Sequence, residues 1–206
     1  MPTSHLYQLN EISELIVLTA PASVLDIGSG FGKFGFLARE YLDIWEGRYV
    51  PEQWRTTIDC IEVYSTYITP VHRHVYNTIY EGEASAVLRS MDARYDLILC
   101  VDVLEHFASR AGTALLDLCL LRARNIIVST PHEAGNQPAV FGNPFEAHVS
   151  QWTRQDFERF NEKFIVPNDY SLICYLGQDA ERVREQHCYM TARRMRFAEQ
   201  HKKNIR

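Results

Sequence analysis

The 206-residue sequence predicts one α/β domain built on an open, doubly wound and mostly parallel sheet. Two observations predict this fold. Apolar strand-like segments alternate with helical segments along the chain. One of those strands also runs directly into a cluster of glycines, as happens at the ligand-binding edge of such sheets. Apolar residues make up 46% of the chain, which is enough for a full core, so residues 1–206 are treated as a single domain.

The first predicted elements are a helix and a buried strand. Apolar residues at helical spacing predict a helix over residues 8–19, within an N-terminal segment 1–20, and Pro21 ends it. Residues 22–27 form a short apolar run that stops at the glycine cluster. Such a run is typical of a strand buried on both faces of a sheet.

The alternation continues downstream. The predicted elements are, in chain order, a helix over 33–43, strands over 57–62 and 95–101, a helix over 110–123 and a strand over 125–129. Thr153 and Asp156 have the spacing of a capping box, which predicts a helix starting there. Residues 163–176 are expected to form a closing pair of strands with a turn at Asn168-Asp169.

Two long segments interrupt this pattern. Residues 44–56 hold two tryptophans, a proline and a glycine between a helix and a strand, and residues 130–152 are rich in Pro, Gly and Asn. Long loops in compact domains are often functional. The loop 130–152 follows a strand at the sheet edge where α/β proteins bind ligands, so we expect it to be an active-site loop.

The charge balance argues against a polyanion-binding protein. The formal net charge is -5, whereas tight non-specific binding to nucleic acid needs an excess of Lys and Arg. The tail 177–206, predicted helical, is locally basic, with eight Lys/Arg and four Asp/Glu. A solvated helix face accounts for this, and contact with a polyanion or a membrane surface is the alternative.

The cysteines and the N-terminus predict a cytoplasmic protein. The five cysteines show no C-x-x-C pair: Cys60, Cys100, Cys119, Cys174 and Cys188. The first three lie in apolar runs and are expected to be small buried thiols, not disulfides or zinc ligands. A reducing compartment follows. The N-terminus shows no signal peptide, and no apolar stretch approaches the roughly 20 residues of a membrane span.

The strongest local signal is the segment VLDIGSGFGKFG, residues 24–35. A phosphate-binding G-x-x-x-x-G-K-[ST] loop is excluded, because the spacing is too short and Phe34 follows the lysine. A dinucleotide fingerprint can be drawn on Gly30, Gly32 and Gly35. The next suitable acid, Glu62, is farther along than the usual distance of about 20 residues, yet this alternative stays open.

Residues 24–32 fit every position of apolar-apolar-Asp-apolar-Gly-x-Gly-x-Gly and resemble motif I of class I S-adenosylmethionine-dependent methyltransferases. The resemblance covers roughly residues 20–165. It implies a Rossmann-like sheet of seven strands, the last antiparallel, with helices on both faces. It also implies S-adenosylmethionine as cofactor and S-adenosylhomocysteine as product. Asp26 would orient the ammonium group, and the cofactor would lie against the residues that follow, Gly28, Ser29, Gly30 and Gly32.

The resemblance continues in order along the chain. Glu62 ends the second strand, where the family places an acid on the ribose hydroxyls. Glu83 and Ala84 stand where the family often has Gly-Asp-Ala beside the adenine. Glu83 would then accept from the adenine amino group, and the alternative is a solvated acid at a helix start.

The segment that follows the fourth strand resembles the D-V-L-E-H sequence of methyltransferases that act on small molecules. It places Asp102, Glu105 and His106 on the substrate side, with Asp102 near both cofactor and acceptor. His106 is the candidate general base, since imidazole titrates near neutrality. His148, in the loop 130–152, is the second candidate catalytic histidine.

A metal-dependent alternative uses the same residues. Asp102, Glu105, His106 and His148 are similar in spacing to the Glu-x-x-Glu-His and distal His of small-RNA 2′-O-methyltransferases, which use magnesium or manganese. Here Asp102 replaces the first glutamate, which shortens that ligand's reach. Many methyltransferases with D-V-L-E-H bind no metal, so a divalent ion is not the favoured expectation.

The sequence therefore predicts methyl transfer to a hydroxyl or amine of a small polar acceptor, without nucleic acid or membrane as partner. Segments 39–54, 129–133 and 142–153 also resemble bacterial methyltransferases considered sugar- or cell-surface-related. The alternatives are the RNA-terminal 2′-O-methyltransferase, an NAD-dependent Rossmann enzyme and a non-catalytic cofactor-binding subunit. The acceptor and the oligomeric state stay open.

The loop 130–152 is expected to act as a lid that carries specificity. Three aromatic side chains would shield the transfer site from water, namely Phe141, Phe145 and Trp152. Four polar ones would bind acceptor hydroxyls, namely His132, Glu133, Asn143 and His148.

Overall fold

The computed structural model describes residues 3–204, with side chains described for residues 3–197, and shows a seven-stranded sheet flanked by helices. The strands are β1 (Ser23–Ile27), β2 (Thr57–Glu62), β3 (Ile79–Glu81), β4 (Tyr95–Val101), β5 (Ala123–Pro131), β6 (Lys163–Val166) and β7 (Ser171–Gly177). The helices are α1 (Leu9–Thr19), α2 (Lys33–Arg39), α3 (Pro70–Val75), α4 (Ala84–Ser90), α5 (Ser109–Arg122) and α6 (Ala180–Asn204).

The sheet has the strand order β3-β2-β1-β4-β5-β7-β6. Strands β1 to β5 are parallel, and β7 pairs antiparallel with both β5 and β6. The predicted mostly parallel sheet with its last strand antiparallel is thus confirmed. The direction of winding reverses between β1 and β4, which opens a crevice at their carboxyl ends.

Two apolar cores cover the two faces of the sheet. One contains the buried side of α5 together with inward side chains of β1, β4 and β5, and the other contains α1 and the start of α6. The central strand β4 is almost completely buried, as expected for a parallel strand between two layers of helices. This arrangement fixes the carboxyl ends of the strands as a rigid platform.

The predicted helix over residues 33–43 is shorter and changes type. It is α-helical only to Arg39 and continues as a π-helical turn over Glu40–Ile44. Asp43 is fully buried there and accepts hydrogen bonds from Arg39, Arg48 and the backbone of Arg55. Since a buried carboxylate needs such partners, this cluster dictates the local backbone and anchors the insertion that follows.

The helix predicted after Thr153 is a single 3₁₀ turn, Arg154–Phe157. Its capping box is confirmed, because Asp156 accepts from the backbone and the hydroxyl of Thr153. The turn ends early because the side chain of Phe157 is fully buried in the core beside Trp152. Tertiary packing therefore overrides the local helical signal.

Sequence analysis missed two short elements, α3 and β3, because their apolar residues are too few to show a clear period. For α4 it gave only the alternative of a helix start at Glu83. The expected turn at Asn168 is present, and its side chain accepts from the backbone of Tyr170 and Ser171. The cysteines are free thiols, four of them buried.

The predicted helical tail is confirmed as α6 over residues 180–204. The side chains after residue 197, which carry three of the tail's basic groups, lie outside the described residues. In the part of the chain that is described, no helix combines the length and hydrophobicity needed to cross a bilayer.

Candidate active site

A cavity of about 220 Å³ lies at the carboxyl ends of β1, β2 and β4. Its walls bring together parts of the chain that are far apart in sequence: Thr3 and Ser4, Asp26 to Phe31, Lys33 and Phe34, Ile61 to Val63, Tyr67, Gly82 to Ala84, Val101 to Val103, His106 and Phe107, and Asn143, Phe145 and Glu146. The glycine loop, the acid after β2 and the segment after β4 thus face one space, as the sequence predicts.

The glycine loop follows β1 and forms the floor of the cavity. Gly28 has a φ of 67°, and a Cβ built on it would lie 2.8 Å from Cγ2 of Val103. No other residue type combines that conformation with so little space. Gly30 also has a positive φ and lines the cavity. Gly32, predicted to lie against the cofactor, is instead the N-cap of α2 and is not among the described residues that line the cavity.

Asp26 lies at the tip of β1 and is 2% exposed. The hydroxyl of Tyr76 donates a hydrogen bond to its Oδ2 at 2.5 Å. Burial raises the pKa of Asp26 to about 7. The hydrogen bonds from Tyr76 and from the backbone of Gly35 lower this pKa, but their effect is smaller than that of burial. A methyl group on Gly35 would overlap the Tyr76 ring, so this glycine is what allows the tyrosine to reach the acid.

Glu62 lies at the tip of β2 and is 4% exposed. Its Oε2 accepts from the backbone N–H of Gly30 at 2.9 Å, and its Oε1 accepts from the backbone N–H of Tyr64 at 2.9 Å. Burial raises its pKa above the ordinary value. Each carboxylate oxygen has a second lone pair, so the group can still accept from a ligand in the cavity.

Glu83 and Ala84 both line the cavity, as predicted for the adenine side. The carboxylate of Glu83, however, caps α4 by accepting from the backbone N–H groups of Ser85 and Ala86 at 3.0 Å each. This is the helix-start role that sequence analysis gave as the alternative. Contact with an adenine amino group would have to use the remaining lone pairs.

Asp102 follows β4 and lines the cavity. It adopts a φ of 52°, which is uncommon for a residue with a side chain and is typical of functional sites. Its backbone N–H donates to the carbonyl of Ser129 at 2.8 Å, and its Oδ2 accepts from the side-chain amide of Gln8 at 2.6 Å. The carboxylate is therefore held on the cavity wall.

His106 lines the cavity, and His148 stands behind it with ring centroids 5.0 Å apart. Nδ1 of His106 lies 3.1 Å from the carbonyl of Ala147, and Nδ1 of His148 bonds the carbonyl of Ala134. A carbonyl can only accept, so both rings carry their proton on Nδ1 and leave Nε2 as an acceptor. Burial lowers the pKa of His106, which keeps its imidazole neutral near pH 7.

Glu105 is 1% exposed and lies beside the two histidines. One oxygen or nitrogen from each of Glu105, His106 and His148 falls within 4.8 Å of the others. Oε2 of Glu105 is buried without a hydrogen-bond partner, and burial raises the pKa of this acid well above its ordinary value. The donor set suits a divalent cation, although Asp102, the fourth member of the predicted set, is bonded to Gln8 instead.

The tip of the loop 130–152 forms the outer wall. Asn143, Phe145 and Glu146 line the cavity, and the hydroxyl of Tyr67 donates to Oε1 of Glu146 at 3.0 Å. The hydroxyl of Tyr64 also donates to the carbonyl of Gly142 at 3.2 Å. Two tyrosines after β2 therefore hold the loop tip over the cavity.

Other expectations for this loop are wrong. Trp152 is 4% exposed and belongs to the core, where its ring fills the space beside Gly112 and its indole N–H donates to Leu104. Among the described residues that line the cavity, Phe141, His132 and Glu133 do not appear. The ring of His132 instead contacts the carbonyl of Asn168 at 2.8 Å.

Sequence analysis also missed four functional candidates, Gln8, Tyr67, Tyr76 and Glu146. No sequence motif indicates Gln8 or Tyr76, because each contacts a residue that is distant along the chain. Gln8 contacts Asp102, and Tyr76 contacts Asp26. Glu146 had a signal, since it lies in the loop already predicted to be functional. The insertion 44–56 precedes β2, so it lies at the opposite edge of the sheet, and none of its described residues lines the cavity.

Comparison with known proteins gives no sequence relative and a clear structural likeness. No known family profile matches the sequence, and no curated protein is significantly similar to it. Among solved structures, the bifunctional kinase-methyltransferase WbdD superposes with a TM-score of 0.59 at 15% identity, over 85% of this chain and 40% of WbdD. The chain therefore spans well under half the length of that protein.

Two further structures match over most of both chains. Magnesium protoporphyrin IX methyltransferase (ChlM) from Synechocystis PCC 6803, with bound S-adenosylmethionine, has a TM-score of 0.54 and 15% identity, over 83% of this chain and 78% of that chain. The N-terminal domain of EvdMO1, in the presence of S-adenosylhomocysteine and D-fucose, has a TM-score of 0.57 and 13% identity, over 85% and 84%. The chain has the fold of class I S-adenosylmethionine-dependent methyltransferases.

Proposed function

We propose that this protein is a methyltransferase that uses S-adenosylmethionine. The observation that carries the proposal is the cavity at the β1/β4 crossover, where the glycine loop, Asp26 and Glu62 face one space. Two carboxylates separated by bare backbone suit a ligand with an ammonium group at one end and ribose hydroxyls towards the other. The sequence resemblance and the cofactor-bound structural neighbours support the same cofactor.

The reaction is a direct displacement. The lone pair of an acceptor hydroxyl or amine attacks the methyl carbon, the carbon–sulfur bond breaks, and S-adenosylhomocysteine leaves. The acceptor proton passes to His106, whose free Nε2 lies on the cavity side of a fixed ring, and then to water. Most of the acceleration comes from holding acceptor and methyl in line, since little covalent chemistry is left to the protein.

The outer wall of the cavity supports a small polar acceptor. Phe107, Phe145 and Tyr67 supply aromatic faces, and Asn143 and Glu146 supply buried polar groups. Aromatic faces with a few fixed hydrogen-bonding groups are the usual lining of such sites. The presence of D-fucose in one neighbour's structure supports a hydroxylated, sugar-like acceptor for this chain.

One observation favours a second candidate, metal-assisted O-methyl transfer. The cluster Glu105, His106 and His148 supplies one carboxylate and two imidazoles with free Nε2 atoms. In this alternative these residues would hold a divalent cation, which would make an acceptor hydroxyl easier to deprotonate. The favoured proposal needs no metal, because His106 serves as the base.

Turnover with isotope-labelled cofactor tests the proposed function. The protein is incubated with methyl-labelled S-adenosylmethionine and pools of small hydroxylated and aminated compounds, sugars included, and the label is followed into product. The proposal expects label transfer together with stoichiometric release of S-adenosylhomocysteine. Tight cofactor binding with no transfer to any pool, short RNA included, would indicate a non-catalytic binding subunit.

Cofactor binding is expected to strengthen as the pH rises from about 6 to about 8. The pKa of Asp26 is about 7 in the free protein, and a bound ammonium group favours the ionised acid. Below that pH the acid must lose a proton before it can pair, so affinity should fall roughly five- to tenfold at pH 6. Isothermal titration with S-adenosylhomocysteine measures this.

The Asp26→Asn variant is the control for this pH dependence. It cannot titrate, so its affinity should be lower and nearly constant over the same range. The acid Glu62, whose pKa is also raised, faces the same cavity and is unchanged in the variant. An equal slope in wild type and Asp26→Asn would assign the pH dependence to another group.

We further propose that the tip of the loop 130–152 acts as a lid. Its base is braced internally, since Gln151 accepts from the backbone N–H of Ala134 and the backbone N–H of His148 donates to the carbonyl of Gln137. The hydroxyls of Tyr64 and Tyr67 contact the tip from the side of β2. Hydrogen bonds of this kind are worth about 0.5–3 kcal/mol each, so they can break and re-form as a lid opens and closes.

Limited proteolysis with chymotrypsin tests the lid, because Phe141 is 61% exposed at the tip. Cofactor alone should slow cleavage modestly, and cofactor with acceptor should slow it strongly. Tyr67→Phe, which removes the bond to Glu146, should make the free protein cleave several-fold faster, whereas Tyr49→Phe on an exposed tyrosine of the distant insertion should not. Equal cleavage in every state would mean that the loop is a fixed wall.

A further inference from the structure

Gln8 is a fully buried polar residue whose side chain does not cap the helix that it precedes. It occupies the N-cap position of α1 but makes no side-chain capping bond. Its amide instead donates to Oδ2 of Asp102 at 2.6 Å, 94 residues away along the chain. Glutamine is not a favoured N-cap residue, so local helix formation does not explain its presence.

A third group completes the arrangement. The hydroxyl of Ser129, on β5, bonds the amide oxygen of Gln8 and lies 3.3 Å from Oδ1 of Asp102. A hydroxyl has one proton, and the shorter contact is the one to Gln8, so Ser129 mainly fixes the amide that in turn holds Oδ2 of Asp102. Because the backbone of Asp102 is in the left-handed region, these bonds also hold a conformation that the chain would otherwise avoid.

The segment before α1 is tied to the same edge of the sheet. The carbonyl of Ser4 accepts from Nζ of Lys33 at 2.7 Å, and the carbonyl of Tyr7 accepts from the side chain of Asn168 at 2.8 Å. The ring of Tyr7 stacks on Tyr170. Residues 3–8 thus run across the carboxyl edge, with Thr3 and Ser4 in the cavity wall and Gln8 behind Asp102.

We infer that Gln8 is a positioning residue, which aims the carboxylate of Asp102 at the positively charged sulfur of the cofactor. The inference rests on the proposed function, in which the cofactor occupies the cavity that Asp102 lines. A carboxylate held there favours S-adenosylmethionine, whose sulfur is positive, over S-adenosylhomocysteine, whose sulfur is neutral. Gln8 and Ser129 hold that carboxylate without adding a competing charge.

The other charged groups that face Asp102 are fixed by the structure. Lys33 lies close enough for the charge of Asp102 to act on its ammonium group, which is itself bonded to Ser4. Glu105 is buried on the far side, and the same negative charge contributes to its raised pKa. Neither supplies a hydrogen bond to the Asp102 carboxylate among the described contacts, which leaves its orientation to Gln8 and Ser129.

The test compares the affinities for the two cofactor forms by isothermal titration. Gln8→Met keeps the size of the side chain and removes its hydrogen bonds, and Ser129→Ala is a second, smaller change that preserves the strand. Each should lower S-adenosylmethionine affinity more than S-adenosylhomocysteine affinity, with a change in their ratio of about tenfold for Gln8→Met and less for Ser129→Ala. Asn10→Ala, an exposed amide on α1, is the matched control and should leave the ratio unchanged.

A double-mutant cycle with Asp102→Ala separates positioning from general stability. If Gln8 acts through Asp102, Gln8→Met has no further effect on the ratio once Asp102 is alanine. Equal losses of affinity for the two ligands, or an effect of Gln8→Met on the affinity ratio that persists without Asp102, would overturn the inference. If Gln8→Met does not fold, an unchanged affinity ratio in Ser129→Ala would overturn it. A wild-type protein that binds neither ligand would instead overturn the proposed function.

Discussion

Glu62→Ala is expected to weaken the binding of S-adenosylhomocysteine at least about tenfold. The proposal places both ribose hydroxyls on this carboxylate, and two charge-assisted hydrogen bonds are worth roughly 1.5–3 kcal/mol. The substitution also removes the acceptor for the backbone N–H of Gly30, so the glycine loop loses one of its supports. Isothermal titration of the folded variant gives the affinity directly.

Glu81 provides the matched control for this prediction. It is the neighbour of Glu62 across the β2–β3 pair, and its carboxylate is exposed. Glu81→Ala removes the same charge from the same edge of the sheet and should leave cofactor affinity within about twofold. An unchanged affinity in Glu62→Ala would refute the ribose assignment, and equal losses in both variants would indicate a general electrostatic effect.

His106→Ala is expected to lower turnover by about a hundredfold, while cofactor affinity changes little. A positioned general base contributes about 10²–10⁴-fold. His106 lines the cavity, where the proposal assigns it to the acceptor, and its ring orientation is fixed by the carbonyl of Ala147. Steady-state rates with an acceptor identified in the labelled-cofactor assay, together with titration of S-adenosylhomocysteine, separate the two effects.

His148→Ala should have the same sign and a smaller effect, because this ring acts by packing against His106 from behind. His74→Ala, an exposed histidine remote from the cavity, is the control. If His106 and His148 prove equally essential and a chelator abolishes turnover, the metal-assisted alternative replaces the favoured one. A His106 variant with normal turnover and weak cofactor binding would place that residue on the cofactor instead.

The sequence predicts which residues line the glycine-loop end of the cavity, because its signals are local. Glycines with positive φ, an acid at each of two strand tips and a parallel sheet can all be recognised within short windows. Since the carboxyl ends of parallel strands meet at one edge, Asp26 and Glu62 could be placed on the same cavity without any structure. The structure confirms that both line it.

The acceptor end could not be predicted to the same depth, because its geometry depends on contacts between distant segments. The tyrosines after β2 carry no motif, and their bonds to the loop tip span about 80 residues. Trp152 was expected in the lid because it lies in a long loop. Because Gly112 has no side chain, however, the core has space there for the Trp152 ring. The residue that holds the Asp102 carboxylate is Gln8, which lies 94 residues earlier in the chain.

The measurement that tests the central claim most directly is a titration of the wild-type protein with S-adenosylhomocysteine, compared with a titration with NAD, the ligand of the dinucleotide alternative. The account predicts one site with micromolar or tighter affinity for S-adenosylhomocysteine, weakened at least about tenfold in Glu62→Ala, and no measurable binding of NAD. Binding of NAD with no binding of S-adenosylhomocysteine would contradict it and would assign the glycine loop to a dinucleotide.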